Sequence, residues 1–259
     1  MKRGIWGVMA LAVAALPTMA AAEDQFRVLV IATPSTYHYE YIPVARDNLE
    51  RVARLHSFAL EWTSDPARFD GDLSGYAAIL FLNTPPERLS ASQRTRFEAY
   101  MRAGGNAMVV HRAAIVPKDE WPWFEKLVGR SFVNHPKVQT GVVTVADPGF
   151  PAAFGLPSRW IWSDEFYVTV NPYRIAIDPV LRVDESSYDP TLIWPGQVGH
   201  RMGPDHPEAW HHRYEQGRVF VTLLGHQADM YRDERYLQHM LGGLYWTATG
   251  RGQAANPAP

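Results

Sequence analysis

Two histidines stand at the ends of apolar runs. His111 closes the run in "AMVVHRAAI", and His226 closes the one in "VFVTLLGHQADMY". An imidazole at a strand end can act as a general base, donate to an oxyanion or ligate a metal. The chain has no cysteine, so no thiol nucleophile is available to pair with either ring. Taken singly, each suits equally well a histidine satisfied by a backbone carbonyl. It is their equivalent placement that favours a shared site. His135 in "FVNHPKVQ" and His206 in "DHPEAW" each precede proline, which holds the histidine extended and fixes where its ring points. His38 in "STYHYEY" falls where the first strand hands over to the first helix. These three are candidate substrate contacts, whereas His211 and His212 read as strand or loop surface and His56, His200 and His239 as bland. Asp164 and Glu165 in "WIWSDEFYV" join the catalytic candidates. In an extended segment they point to opposite sides, so one of them can face a site. Aromatic surroundings would raise that carboxyl's pKa and make it a general acid; hydrogen bonding to turn amides is the alternative.

Six of the nine tryptophans lie between residues 121 and 210. Core packing accounts for most of them, but Trp121 and Trp210 are candidate flat faces for a sugar ring. A divalent ion such as zinc would need a third ligand beside His111 and His226, and no close-spaced ligand motif supplies one. No glycine-rich phosphate loop, HExxH run or GxSxG elbow is present.

The elements that must position these residues follow a regular pattern. Val28–Ala32, Phe58–Trp62, Ala77–Leu82 and Ala107–His111 read as strands. Tyr41, Ile42, Ala45, Leu49, Val52 and Ala53 share one helical face. A second helix starts at the capping box of Ser90 and Gln93, buries Phe97, Tyr100 and Met101, and stops at Gly104-Gly105. Apolar strands alternating with amphipathic helices imply βαβ units and a parallel sheet covered on both faces. From about residue 115 to 215 proline, tryptophan and short alternating strands (Val142–Val145, Val180–Val183) suggest an irregular, partly antiparallel insertion. Val219–Leu224 then resumes the buried-strand pattern. A helix near Glu234–Thr247 follows, with Asp229 and Asp233 as helix-start residues. In open sheets of this kind ligands bind beyond the carboxyl ends of the strands.

Composition narrows the function classes. The 259 residues are 46% hydrophobic and 20% charged, an ordinary globular mixture. Lys2 and Arg3, the apolar Ile5–Leu16 stretch and Ala20-Ala21-Ala22 form the three parts of a secretory signal peptide over residues 1–22, cleaved after Ala22. The mature chain is therefore expected in the periplasm or secreted, with no transmembrane anchor after cleavage. Losing Lys2 and Arg3 takes the formal charge from −2 to −4, and no basic cluster suits nucleic acid. Without disulfides, stability must come from core burial. Residues 251–259 read as a disordered tail.

The stretches "GGNAMVVHRAA", "WPWFEKLVGRSFVNHP", "VADPGFPAAFGLPSRWIWSDEFY", "DHPEAWHHRYEQGRVFVTLLGH" and "YRDERYLQHMLGGLYW" resemble the ThuA-like (trehalose utilisation) family over residues 26–250. The resemblance implies one domain with a class I glutamine amidotransferase-like, flavodoxin-like α/β sheet. Amidotransferases of that fold carry a cysteine nucleophile after one core strand and a histidine after a later one. His111 and His226 hold the corresponding places here, and without a thiol the covalent glutamine chemistry cannot run. The resemblance further implies a small carbohydrate ligand, a trehalose-like glycoside or its keto form, processed by histidine acid/base or metal-assisted chemistry. A non-catalytic carbohydrate-binding module and a docking protein of an envelope complex are the alternatives. Arg112, beside His111, has no assigned role.

Overall fold

The computed structural model describes residues 23–253. The proposed signal peptide, and the tail from residue 254 onward, lie outside the described residues. Five parallel strands, β1 (Arg27–Ile31), β2 (Ala59–Thr63), β3 (Ala78–Leu82), β4 (Ala107–Val110) and β11 (Gly217–Thr222), stand in the order β2-β1-β3-β4-β11. This is the flavodoxin-like order, whose strand direction of travel reverses between β1 and β3 and opens a crevice there.

Alternation along the strands supplies both faces of the sheet. Val28, Val30, Leu80, Leu82, Met108, Val110 and Phe220 face one core, together with helices α1 (Tyr41–Leu55) and α4 (Glu234–Thr249). Leu29, Ile31, Ile79, Phe81, Val109, Val219 and Val221 face the other, with α2 (Ala91–Arg102) and α3 (Pro122–Val128). Both bonds of the Ser90–Gln93 capping box form. Asp233 caps α4 by accepting from the Arg235 and Tyr236 amides. Asp229 caps no helix; it is paired with Arg232 in the preceding 3-10 turn.

Residues 115–215 form the expected partly antiparallel insertion. Four of their strands continue the same sheet: β10 (Pro207–Tyr214), β9 (Asp178–Asp184), β6 (Gln139–Val145) and β7 (Arg159–Asp164), antiparallel and in that order beyond β11. The physical reason is the open edge of β11, whose unpaired amides and carbonyls need a partner; the chain provides it by arriving at β11 through a tight hairpin from β10. A separate ribbon of β5 (Ser131–Asn134) and β8 (Val168–Val170) overlies the strand ends.

This extension corrects the reading of two histidines as surface. His211 and His212 are buried on β10, and the His211 ring stacks on Phe150 with centroids 4.2 Å apart.

Candidate active site

The carboxyl ends of β1, β3, β4 and β11 deliver one group of side chains. β4 ends at His111, which takes a left-handed conformation with φ 48°. A non-glycine residue held there stores about 1–3 kcal/mol of strain and marks a place where direction matters more than ease. Its Nδ1 lies 2.6 Å from the Leu223 carbonyl oxygen. That oxygen can only accept, so Nδ1 carries a proton and Nε2 faces Tyr167 and Glu165. The Tyr167 hydroxyl lies 2.9 Å from Nε2.

His226 follows Gly225 after β11. The Asp164 carboxylate, at the end of β7, holds that turn by accepting from the Gly225 amide at 2.9 Å and the His226 amide at 3.4 Å. Burial raises the Asp164 pKa, while His111 and three further N–H partners oppose the rise. The two adjacent carboxylates do point apart. Asp164 is fully buried and serves the backbone. Glu165 turns into the cavity, 3.5 Å from His111 Nε2, 3.7 Å from His135 Nδ1 and 3.2 Å from His226 Nδ1. His38, from the loop after β1, closes the group with its Nε2 3.1 Å from His226 Nδ1. The His111 and His226 rings are 5.4 Å apart, close enough to share a ligand.

These neighbours push the imidazoles in different directions. Burial disfavours the charged form of His226, but the hydrogen bond and charge of Glu165 outweigh it, and its pKa is raised. Burial, with the fields of His111 and His226, takes His38 down to about 3. His135 is lowered by burial against the pull of Glu165. Its Nδ1–H donates to the Pro136 carbonyl at 2.9 Å, which leaves Nε2 unprotonated. Burial alone would raise Glu165, yet its neighbours His111 and His226 hold it well below the usual carboxylate range.

Above this floor opens a cavity of about 690 Å3, within the span of small-molecule sites. His38, His135, Glu165, Tyr167 and His226 line it, with Tyr37, Phe132 and Trp194 as aromatic walls. Arg112 is at its edge, donating to Glu87 at 2.6 Å and to the Ile115 carbonyl. A cavity of about 670 Å3 at the opposite end of the sheet, around Asp70, Tyr76 and Arg96, has no histidine in its wall.

Three candidate substrate contacts are not in the site. Trp121 is buried against Phe124 and Phe97. Trp210 is fully buried and donates to the Val128 carbonyl. Both are core residues because they belong to segments that seal one face of the sheet. Trp194 and Tyr37 offer the accessible aromatic faces instead, at 39% and 82% exposure. His206 is sealed behind Tyr167, with Nε2 donating to the Tyr167 carbonyl at 3.0 Å and Nδ1 3.3 Å from Glu185. It supports the wall from outside.

Asn83, which spacing did not single out, ties the histidine-bearing turns together. Its amide donates to the Gly225 carbonyl and the Tyr231 hydroxyl, and its carbonyl accepts from the Arg112 amide. The signal was present in "FLNTPP": a polar residue directly after a buried strand, as at His111.

Near His206 lies Glu208, completely buried, neither of its oxygens hydrogen-bonded. Burial, reinforced by Asp164, raises its pKa well above the ordinary value. A raised carboxyl favours the folded state at pH below its unfolded pKa and loses that advantage as pH rises. Glu208→Gln keeps the shape and removes the titration. Its stability relative to the parent should improve by up to about 1.4 kcal/mol per pH unit above about pH 4.3. Urea unfolding from about pH 4 to pH 8 measures this; a constant difference across that range would mean that Glu208 is not neutral in the fold.

The family model described as "Trehalose utilisation" matches residues 27–247. The chain belongs to the ThuA family. A ThuA-like protein from Bacteroides uniformis superposes with a TM-score of 0.72 at 22% identity, over 90% of this chain and 95% of that one. A ThuA-like protein from Parabacteroides merdae gives 0.70 at 19% identity, over 90% and 93%. A β-galactosidase from Rahnella sp. R3 gives 0.54 at 13% identity, covering 86% of this ThuA-family chain but 32% of that enzyme. At these identities the likeness is one of fold. No curated protein matches by sequence. Among the described residues no helix is long and apolar enough to cross a membrane.

Proposed function

We propose that this is an exported ThuA-family enzyme acting on a small carbohydrate that carries a carbonyl, a keto derivative of a trehalose-like glycoside. One observation carries the reading: His38, His111, His226 and Glu165, from four separate segments, meet at the floor of a cavity of about 690 Å3 with aromatic walls. The family description supports the carbohydrate class.

A carbonyl acidifies the C–H beside it, so the chemistry needs a base for that proton and a donor for the developing enolate oxygen. Neutral His135, its Nε2 lone pair free, suits the base. His226, whose pKa Glu165 raises, suits the donor. Environments that separate the pKa values of two like groups assign acid and base roles in this way. Tyr37 and Trp194 would hold the sugar ring against their faces.

The test is a screen of disaccharides and their keto forms against the mature protein, with His111→Ala/His226→Ala as control. Turnover of a keto form by the parent and its loss in the double variant is the expected result. Quenching of tryptophan fluorescence by a sugar that is never converted would replace the enzyme with a carbohydrate-binding module. A double variant as active as the parent would remove the cluster from the chemistry.

A further inference from the structure

We propose that His38, His111, Glu165 and His226 together bind one divalent transition cation, of the kind that zinc represents. Each contributes one ligand atom, and all four atoms lie within 4.8 Å of one another. The facing pairs are tighter. His38 Nε2 to His226 Nδ1 is 3.1 Å, His226 Nδ1 to Glu165 Oε2 is 3.2 Å, and His111 Nε2 to Glu165 Oε2 is 3.5 Å. Coordination bonds of about 2.0–2.1 Å place neighbouring ligands of a tetrahedral ion roughly 3.3–3.4 Å apart. Three pairs already stand near that separation, and the others, all within 4.8 Å, would close by up to about 1.4 Å on binding. Three imidazoles and one carboxylate suit zinc and its neighbours rather than magnesium or calcium, which prefer oxygen ligands.

The surroundings are those of a built site. A metal-ligating histidine normally donates its other N–H to a carbonyl or carboxylate, which fixes tautomer and ring direction. His111 does so to Leu223 at 2.6 Å, and its backbone is held at a positive φ to aim it. His38 has the Ser35 hydroxyl 3.5 Å from its Nδ1. Asn83 and Asp164 fix the Gly225 and His226 backbone from both sides. Tyr167 places its hydroxyl beside the His111 ligand atom, and one face of the group opens to the cavity. That open face is where a sugar carbonyl or a pair of hydroxyls would reach the cation, which would then polarise the carbonyl in place of a protonated His226. His135 sits outside the ligand set, leaving it free as a base.

The inference rests on the cluster and not on the sugar reading, and the experiment separates the two. Tag-free protein is stripped with a chelator, dialysed, and titrated with zinc, manganese, cobalt and nickel, with metal content read by elemental analysis. The expected result is one tightly held cation per chain, with a rise in melting temperature on loading. His38→Ala, His226→Ala and Glu165→Gln should each weaken binding by at least about tenfold. The exposed His56→Ala variant should bind like the parent. Folding of each variant is checked by circular dichroism, and Glu165→Gln, the most conservative, keeps the test valid if a histidine variant fails to fold. No stoichiometric binding of any of these ions, or binding indifferent to Glu165→Gln, would overturn the proposal. A bound cation with no turnover of any keto sugar would instead count against the proposed reaction alone.

Discussion

Glu165→Gln is expected to lower turnover of a keto-sugar substrate by about 100- to 10,000-fold, the usual worth of a positioned acid/base system, in a protein that still folds. The side chain is isosteric, and Glu165 holds no backbone amide of the site through its carboxylate; it reaches into the cavity toward His111, His135 and His226. What the substitution removes is charge. Without it, only the field of Asp164 opposes burial at His226, whose pKa is raised chiefly through Glu165, so the proton donor and the base lose most of the difference that distinguishes them. A cation bound to the same group would lose its one anionic ligand, so both routes to a polarised carbonyl fail together. Asp164→Asn, one residue earlier, should behave differently. Asp164 carries the Gly225 and His226 amides, and its loss should appear first as a lower melting temperature. The check is steady-state kinetics beside circular dichroism for both variants. Glu165→Gln at parental activity would take the carboxylate out of the centre of the site.

The contrast between these neighbours also shows what the sequence could convey. Alternation rules foretold that Asp164 and Glu165 would diverge, and apolar runs foretold that His111 and His226 would close core strands, since both are consequences of local geometry. The five parallel strands and the faces of α1 and α2 were legible for the same reason: period 2 and period 3.6 are written within a few residues. What stayed hidden was long-range. Trp121 and Trp210 carry the same side chain as Trp194, and only the pairing of β10 with β9 and β11 decides that Trp210 is sealed while Trp194 is open to solvent. The antiparallel half of the sheet was obscured because its strands mix polar and charged residues with apolar ones, and because the pairing of β10 with β9 is broken by register shifts between Pro207 and Trp210. Asn83 was hidden because its partners, Arg112 and Gly225, are distant in the chain.

Gly225→Ala should damage both the fold and the site. Gly225 has φ 130°, a conformation that residues with a Cβ avoid. An added Cβ would lie 2.5 Å from the Tyr236 hydroxyl, 3.1 Å from Val110 Cγ1 and 3.2 Å from the Tyr231 hydroxyl. Neither tyrosine has room to retreat without cost, since Tyr236 donates to the Leu224 carbonyl at 3.0 Å and Tyr231 to the Gly225 carbonyl at 3.3 Å. Backbone strain of about 1–3 kcal/mol and overpacking of about 1–3 kcal/mol add to roughly 2–6 kcal/mol. In a domain of this size that is a fall of roughly 5–20 °C in melting temperature. The turn would relieve the clash by shifting, carrying His226 away from Glu165 and His38; a displacement of about 1 Å is enough to cost about 100-fold in rate. Gly104→Ala is the comparison that separates the two contributions. Gly104 also has a positive φ, 97°, but nothing lies within 4 Å of its added Cβ, so that variant carries backbone strain without overpacking and leaves the histidine turn alone. Thermal unfolding and kinetics of the two variants side by side should show a larger loss of stability and a selective loss of turnover for Gly225→Ala. Equal losses in both would mean that the packing around Gly225, and with it the fixed placement of His226, contributes nothing to the site.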